Sequence, residues 1–128
     1  MAHPPKVDPA APHVERVRRI AMALPGAQEK VSHGAPAFFT TKVFAYVTAS
    51  ERVDGELVRR DRALCVLLDA DERLALLHEG AFAPAYLGPS GWVALDLDGV
   101  DDARLAELLD ASFRVTAPAR LVRELDAR

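Results

Sequence analysis

The sequence predicts a single α+β domain, in which an antiparallel sheet of about five strands packs against three to four helices. Short apolar segments with period-two alternation follow one another between about residues 28 and 68 without an intervening helix. Helical periodicity is instead found towards the two ends of the chain. Strands and helices are therefore segregated along the sequence, and the length of 128 residues suits one hydrophobic core.

The beginning of the chain is predicted to lie outside the domain. Residues 1–12 are rich in proline and alanine and have neither the charged nor the apolar region of a signal peptide. We expect them to form a disordered leader, and residues 13–127 to form the domain. No apolar run approaches the roughly 20 residues that a membrane span requires. A cytoplasmic protein without membrane contact is the resulting expectation.

The first predicted element is a helix that starts at Pro12 and stops at Leu24. Apolar residues recur there at helical spacing, and proline is well suited to the first turn of a helix. Pro25 and Gly26 then end the helix. Three short extended segments follow as an antiparallel meander, at Lys30–Ser32, Ala37–Thr40 and Val43–Thr48.

The third of these strands is predicted to be covered on both faces, since apolar and aromatic residues occupy both sets of alternating positions. Simple alternation places Val43, Ala45 and Val47 on one face, and Phe44, Tyr46 and Thr48 on the other.

A β-hairpin is predicted around Asp54–Gly55, a dipeptide that favours a two-residue turn. The strands on either side of it form a two-stranded ribbon over Ser50–Arg62 that projects from the sheet. The returning strand continues into the apolar segment Leu64–Leu68.

The last third of the chain contains a further strand and three helices. A helix over Glu72–Glu79 is capped by Asp69 or Asp71. A turn rich in glycine and proline then leads into the strand Trp92–Leu97, whose alternate positions are apolar. The last two helices are predicted to begin at Asp101, as a cap, and at Pro118.

Charge and cysteine content narrow the function classes. The net charge is −3; residues 1–64 carry 10 Lys/Arg against 7 Asp/Glu, and residues 65–128 carry 6 against 12. Proteins that bind nucleic acid tightly usually have a basic surplus, so this balance argues against tight binding. Cys65 is the only cysteine, which excludes an intrachain disulfide and a cysteine-based metal cluster. Its apolar neighbours predict a buried thiol.

Six short motifs occur together in a specific order and spacing: Leu24-Pro25-Gly26, Ser32–Phe38, Lys42–Ala45, Leu64-Cys65-Val66, Tyr86–Trp92 and Ala117–Leu121. Over about residues 14–125 the chain thereby resembles the MmcQ/YjbR family of small bacterial proteins. The resemblance implies a compact α+β fold like that of bacterial frataxin (CyaY-like) and DNA binding by a double-wing mode. The sequence has no catalytic motif, so we expect a non-enzymatic protein. Ser90 and Ala119 stand where the family often has a basic residue.

The hypothesis of DNA binding relies on basic side chains on or beside the ribbon. Arginine suits phosphate and guanine edges, and a two-stranded ribbon fits the major groove. The alternative is a solvated hairpin whose arginines pair with Glu51, Glu56 and Asp61. The predicted DNA-binding residues are Lys42, Arg52, Arg59, Arg60, Arg62 and Arg120.

The alternative function is a small-ligand or protein-interaction module that uses a cleft. His33 lies in a turn where it can line such a cleft, although no second catalytic group stands at an informative spacing. The aromatic residues, including Phe44 and Phe82, form either a ligand platform or part of the core. The predicted cleft residues are His33, Phe38, Tyr86, Gly88, Gly91 and Trp92.

A cluster of acids near the third helix raises the question of a metal site, because hard cations favour carboxylate oxygens. Helix capping and solvated strand ends explain these acids without a metal. We therefore expect no metal, no cofactor and no catalytic residue. The acids considered are Asp96, Asp98, Asp101 and Asp102.

Overall fold

The structure, a computed structural model, describes residues 7–128. Over this range, five strands form one antiparallel sheet in the order β1-β2-β3-β4-β5, and four α-helices accompany it. The predicted α+β class is therefore confirmed. The strands are β1 (Gln28–Ser32), β2 (Ala35–Phe39), β3 (Val43–Val53), β4 (Glu56–Leu67) and β5 (Trp92–Asp96), and the helices are α1 (Pro12–Ala21), α2 (Ala70–His78), α3 (Asp102–Thr116) and α4 (Ala119–Asp126).

One face of the sheet, here called the helix face, packs against α1 and α3 and holds the main core. Apolar side chains are buried away from water on this face, and this burial is the main stabilising contribution to the fold. Phe44 on β3 and Phe113 on α3 meet edge to face, with ring centroids 5.7 Å apart. Fully buried members of this core are Val14, Val17, Phe38, Val47, Leu64, Val66, Val93, Leu105 and Leu109.

The opposite face, here called the loop face, has a smaller core, and within residues 7–128 no α-helix residue belongs to this core. Tyr46 on β3 and Cys65 on β4 are directly opposite each other, and Cys65 is in turn opposite Ala94 on β5. The loop of residues 81–91 covers this face with Phe82 and Leu87. Both faces of β3 are therefore covered, as the sequence predicts.

A β-bulge changes which β3 residues share a face. Phe38 pairs with Ala45 and Phe39 pairs with Val43, so Phe44 has no partner in β2. Simple alternation placed Phe44 beside Tyr46, and this prediction is wrong. The extra residue shifts the alternation, so that Phe44 and Ala45 both contact the helix-face core while Tyr46 lies on the loop face.

A second irregularity separates the predicted ribbon from the sheet. Val47 pairs with Leu64, but the next pair is Ala49 with Arg60, so the register breaks at Thr48. Beyond this break β3 and β4 pair only with each other, up to the turn at residues 54–55. The predicted hairpin and its projection from the sheet are confirmed.

Several element boundaries differ from the predicted ones. Helix α1 ends at Ala21 instead of Leu24, because a turn over the next residues leads to Gly26 in the left-handed region, with φ of 69°. β3 and β4 are longer than predicted because each strand continues past the register break at Thr48 into the ribbon. Asp69 caps α2 by accepting from the backbone N–H of Glu72. No helix in residues 7–128 is long and apolar enough to cross a membrane.

The predicted leader falls only partly within the structure. Residues 1–6 lie outside the described residues. Val7 is buried in the helix-face core, and Arg18 donates a hydrogen bond to the carbonyl of Pro9. Some residues ahead of the boundary expected at residue 13 are therefore packed against the domain.

Ser112 on α3 fixes the helix to the sheet at the bulge. Its hydroxyl donates to the carbonyl of Phe44 at 2.5 Å and accepts from the backbone N–H of Leu67 at 3.0 Å. The β3–β4 ladder ends at the pair Ala45–Val66, so this side chain supplies partners for the two backbone groups, on Phe44 and Leu67, that lie just beyond it.

We therefore expect Ser112→Ala to lower the free energy of unfolding by about 1–3 kcal/mol, because both backbone groups lose their partner. Urea denaturation measures this change. The matched control is Ser90→Ala at an exposed serine, which should change the free energy by less than about 0.5 kcal/mol. Equal effects of the two substitutions would contradict the bridging role.

Candidate functional site

A cavity of about 430 Å³ opens on the loop face, at the root of the ribbon. Its volume lies within the range of about 300–1,000 Å³ that is usual for small-molecule sites. We call it the Tyr46 cavity. It is lined by Ser32, His33, Ala35, Tyr46, Thr48, Ala49, Ser50, Arg59, Cys65, Pro84, Ala85, Tyr86 and Leu87.

The loop of residues 81–91 forms one wall of the cavity and is held at two points. Phe82 and Ala94 exchange backbone hydrogen bonds of 2.8 and 2.9 Å, which attaches the loop to β5. Further along, the N–H of Ala85 donates to the carbonyl of Ser50 on β3 at 2.8 Å. The wall is therefore fixed by strands on two sides of β4, which favours a cavity that is already formed before a ligand arrives.

Three residues of the cavity have a backbone conformation that non-glycine residues rarely adopt. The φ angles are 54° at His33, 108° at Thr48 and 70° at Tyr86. For a β-branched residue such as Thr48 a positive φ is a true outlier. Such conformations cost about 1–3 kcal/mol each and cluster at functional sites. Of the four non-glycine residues with positive φ in residues 7–128, these three line the cavity, and the fourth, Asp54, is in the ribbon turn.

The interior of the cavity is mainly apolar, with hydroxyl groups placed around it. Ala35, Ala49 and Cys65 are buried at its base. Burial raises the pKa of Tyr46, so its phenol stays protonated at neutral pH and can donate a hydrogen bond. Burial also raises the pKa of Cys65 to about 12, so this group is a thiol and not a thiolate.

Arg59 brings a positive charge to the cavity. Its Nε lies 2.5 Å from Oδ1 of Asp61, and its Nη2 lies 3.3 Å from Oδ2 of the same carboxylate. Both side chains are about half exposed, at 50% and 47%. Among the lining residues that the structure describes, none is acidic, and Arg59 is the one Arg or Lys, with its charge compensated by Asp61 outside the lining.

The predicted cleft residues are only partly brought together. His33 and Tyr86 line the cavity, and Tyr86 is 76% exposed at its edge. Phe38 lies in the core of the helix face instead, because β2 turns it towards α1 and α3. Trp92 lies one layer behind the cavity, where its ring contacts that of Tyr46 at a centroid distance of 5.3 Å.

The two glycines of the predicted cleft shape the neighbouring turn and are not among the cavity-lining residues described. Gly91 has a φ of 98°, and a Cβ there would lie 2.8 Å from Nη1 of Arg73. At Gly88 a Cβ would lie 3.2 Å from the Cβ of Ala83. Their role is therefore to let the chain turn tightly before β5.

The sequence did not reveal the residues that form most of the cavity. Tyr46, Thr48, Ala49 and Cys65 come from the interior of β3 and β4, and alternation placed Tyr46 beside the core residue Phe44. The sequence does contain one signal for the cavity, because the small side chains of Ala49 and Cys65 leave space that large side chains would fill.

The arginines of the ribbon are largely paired with acids, as the solvated-hairpin alternative predicts. Arg60 pairs with Glu51 at 3.0 Å, and Arg59 pairs with Asp61. Arg52 donates to the carbonyl of Gly55. Residues 50–62 contain four arginines and four acids, so the segment has no net charge.

Two of the predicted DNA-binding residues lie far from the ribbon tip. Lys42 is in the β2–β3 turn, at the opposite end of β3, and the 11 residues of this strand span roughly 35 Å. Arg120 is exposed on α4, which belongs to the helix side of the sheet. The six residues do not converge on one surface.

Arg62 connects the root of the ribbon to the helices instead of facing outward. Its guanidinium donates hydrogen bonds to both carboxylate oxygens of Asp98, at 2.6 and 2.9 Å. It also donates to Nδ1 of His13 at 3.3 Å, so the other ring nitrogen of His13 donates to the carbonyl of Asp61 at 3.1 Å. The hydrogen bonds from Arg62 hold the pKa of Asp98 below its usual value.

The acids considered for a metal site take part in caps and ion pairs. Asp96 accepts from the backbone N–H of Asp98, and Asp101 accepts from that of Arg104 as the cap of α3. Asp102 pairs with Arg16, and the hydrogen bond from Arg16 lowers the pKa of Asp102. Within residues 7–128, no group of three or more histidine, cysteine or acidic residues has a geometry suited to a metal ion.

Comparison with curated proteins gives no match. A protein-family model described as YjbR matches residues 22–115, which include β1–β5, α2 and most of α3. The match extends over well more than half of the chain and confirms the resemblance seen in the sequence motifs. The protein therefore belongs to the YjbR family.

Proposed function

We propose that this protein is a non-enzymatic binding module that holds a small organic molecule in the Tyr46 cavity. The observation that carries the proposal is the convergence of three positive-φ residues, His33, Thr48 and Tyr86, on a mainly apolar cavity of about 430 Å³. Strained backbone persists only where the surrounding structure compensates for it, and such places are enriched in ligand sites.

The chemistry of the cavity favours binding over catalysis. A cysteine nucleophile needs a lowered pKa, whereas burial raises that of Cys65 to about 12. His33 is exposed in its turn. The hydroxyl groups of Tyr46, Thr48 and Ser50 offer hydrogen bonds that orient a bound molecule, and the alanines leave space for its apolar part.

Filling the cavity should weaken binding. With 2-naphthol as a neutral bicyclic probe, we expect Ala49→Leu to weaken binding by about tenfold or more, because the added methylenes occupy the space of the ring. Isothermal calorimetry measures the affinity, and near-UV circular dichroism checks that the variant stays folded.

The matched control is Ala103→Leu, which makes the same substitution at an exposed position of α3 and should leave the affinity unchanged. If the wild-type protein shows no binding, or if both leucine variants bind as well as the wild type, the Tyr46 cavity is not a ligand site.

DNA binding through the ribbon is a second candidate. The observation that favours it is the projection of the two-stranded ribbon beyond the sheet, with exposed side chains at Arg52 and Arg60. A two-stranded ribbon of this kind can enter the major groove. The pairing of Arg60 with Glu51 would have to be exchanged for phosphate contacts.

If the ribbon binds DNA, fluorescence anisotropy should detect duplex binding at low salt that weakens steeply as salt rises, because counterions are released. The double variant Arg52→Gln/Arg60→Gln should remove this binding, and Arg123→Gln on exposed α4 should not. No binding at micromolar protein in low salt, or equal binding by all three proteins, would rule out the ribbon as a DNA-binding element.

A further inference from the structure

We infer that the ligand of the Tyr46 cavity is a small organic acid, with an apolar or aromatic body inside the cavity and a carboxylate bound to Arg59. This inference rests on the proposed binding function and adds the chemical class of the ligand. It follows from the charges around the cavity, from the way in which Arg59 is paired, and from the division between apolar and polar lining.

The charges around the cavity favour an anion. Arg59 is a permanent cation on the lining, and no acid occurs among the lining residues described. A cationic ligand would find no carboxylate on the lining described, because Asp61 lies outside it and is paired with Arg59, whereas an anion can gain a charge-assisted hydrogen bond from Arg59. A guanidinium can bind a carboxylate with two parallel N–H groups, which fixes its orientation as well.

The present partner of Arg59 can be exchanged at low cost. Asp61 is only two residues away on the same strand, and the pair is about half exposed on both sides. Ion pairs that are accessible to water contribute only about 0–1 kcal/mol, so a ligand carboxylate that also brings an apolar body can compete with Asp61. The backbone carbonyl of Asp61, which accepts from His13, need not move in this exchange.

The apolar part of the cavity continues inward from Arg59. Arg59 is directly opposite Ser50 in the ribbon. The buried side chains of Ala49 and Cys65 and the ring of Tyr46 lie on the same cavity. A ligand with its carboxylate at Arg59 would thus place its body against apolar groups, with the Ser50 hydroxyl available to the carboxylate.

Three probes with one ring system test the charge requirement: 2-naphthoate, the neutral 2-naphthamide, and the cationic 2-naphthylmethylamine. We expect 2-naphthoate to bind about tenfold tighter than the amide, and the amine to bind weakest. The affinity for 2-naphthoate should also fall as salt rises, because the Arg59 site is accessible to water. Calorimetry measures all three affinities.

Two substitutions should then move 2-naphthoate binding in opposite directions. Arg59→Gln should weaken it about tenfold and leave the amide unaffected. Asp61→Asn should strengthen it, because Arg59 loses its competing carboxylate. Arg60→Gln is the matched control, since Arg60 is 47% exposed, has its own partner in Glu51 and is not among the lining residues described.

Unfolding of a variant could explain weaker binding by Arg59→Gln, but it could not explain the tighter binding that we expect for Asp61→Asn. If the acid and the amide bind equally and neither Arg59→Gln nor Asp61→Asn changes the affinity for the acid, the anion preference is overturned while the cavity remains a ligand site. If none of the three probes binds, the proposed function fails together with this inference.

Discussion

The break in register at Thr48 is the constraint on which the rest of the structure depends. Before it, β3 belongs to a five-stranded sheet; after it, β3 and β4 leave the sheet as a ribbon. Thr48 has a φ of 108°, and its hydroxyl donates to the carbonyl of Arg60 across the break at 3.2 Å. This irregularity lies where β3 and β4 pass beyond β2 and β5 to become the ribbon, and Thr48 itself lines the cavity at the root of that ribbon.

The sequence predicts the parts of the fold that depend on local signals. The turn at Asp54–Gly55 and the cap at Asp101 are read from residues adjacent in the chain, and both are confirmed. The bulge at Phe44 is not local, because it depends on β2 pairing and on the hydroxyl of Ser112, 68 residues away. Alternation alone therefore assigned Phe44 to the wrong face.

The same distinction explains what could be predicted of the candidate site. His33 and Tyr86 stand in turns and were identified there, whereas the base of the cavity comes from strand interiors that the fold brings together. The ion pairs of the ribbon arginines can likewise be predicted only where the partner is close in the chain. Interleaved acids predict that Arg60 finds a nearby partner, but they do not indicate that Arg62 binds the distant Asp98. Arg62, which the sequence places on the projecting ribbon, thus has a structural role in the fold.

Intermolecular nuclear Overhauser effects between bound 2-naphthoate and methyl groups of the protein test most directly whether the loop face of the sheet holds a small molecule. We expect contacts from the ring protons to the methyl groups of Ala49 and Leu87, which line the cavity. Contacts confined to Val53 and Leu57 at the exposed ribbon tip, with none in the cavity, would contradict it.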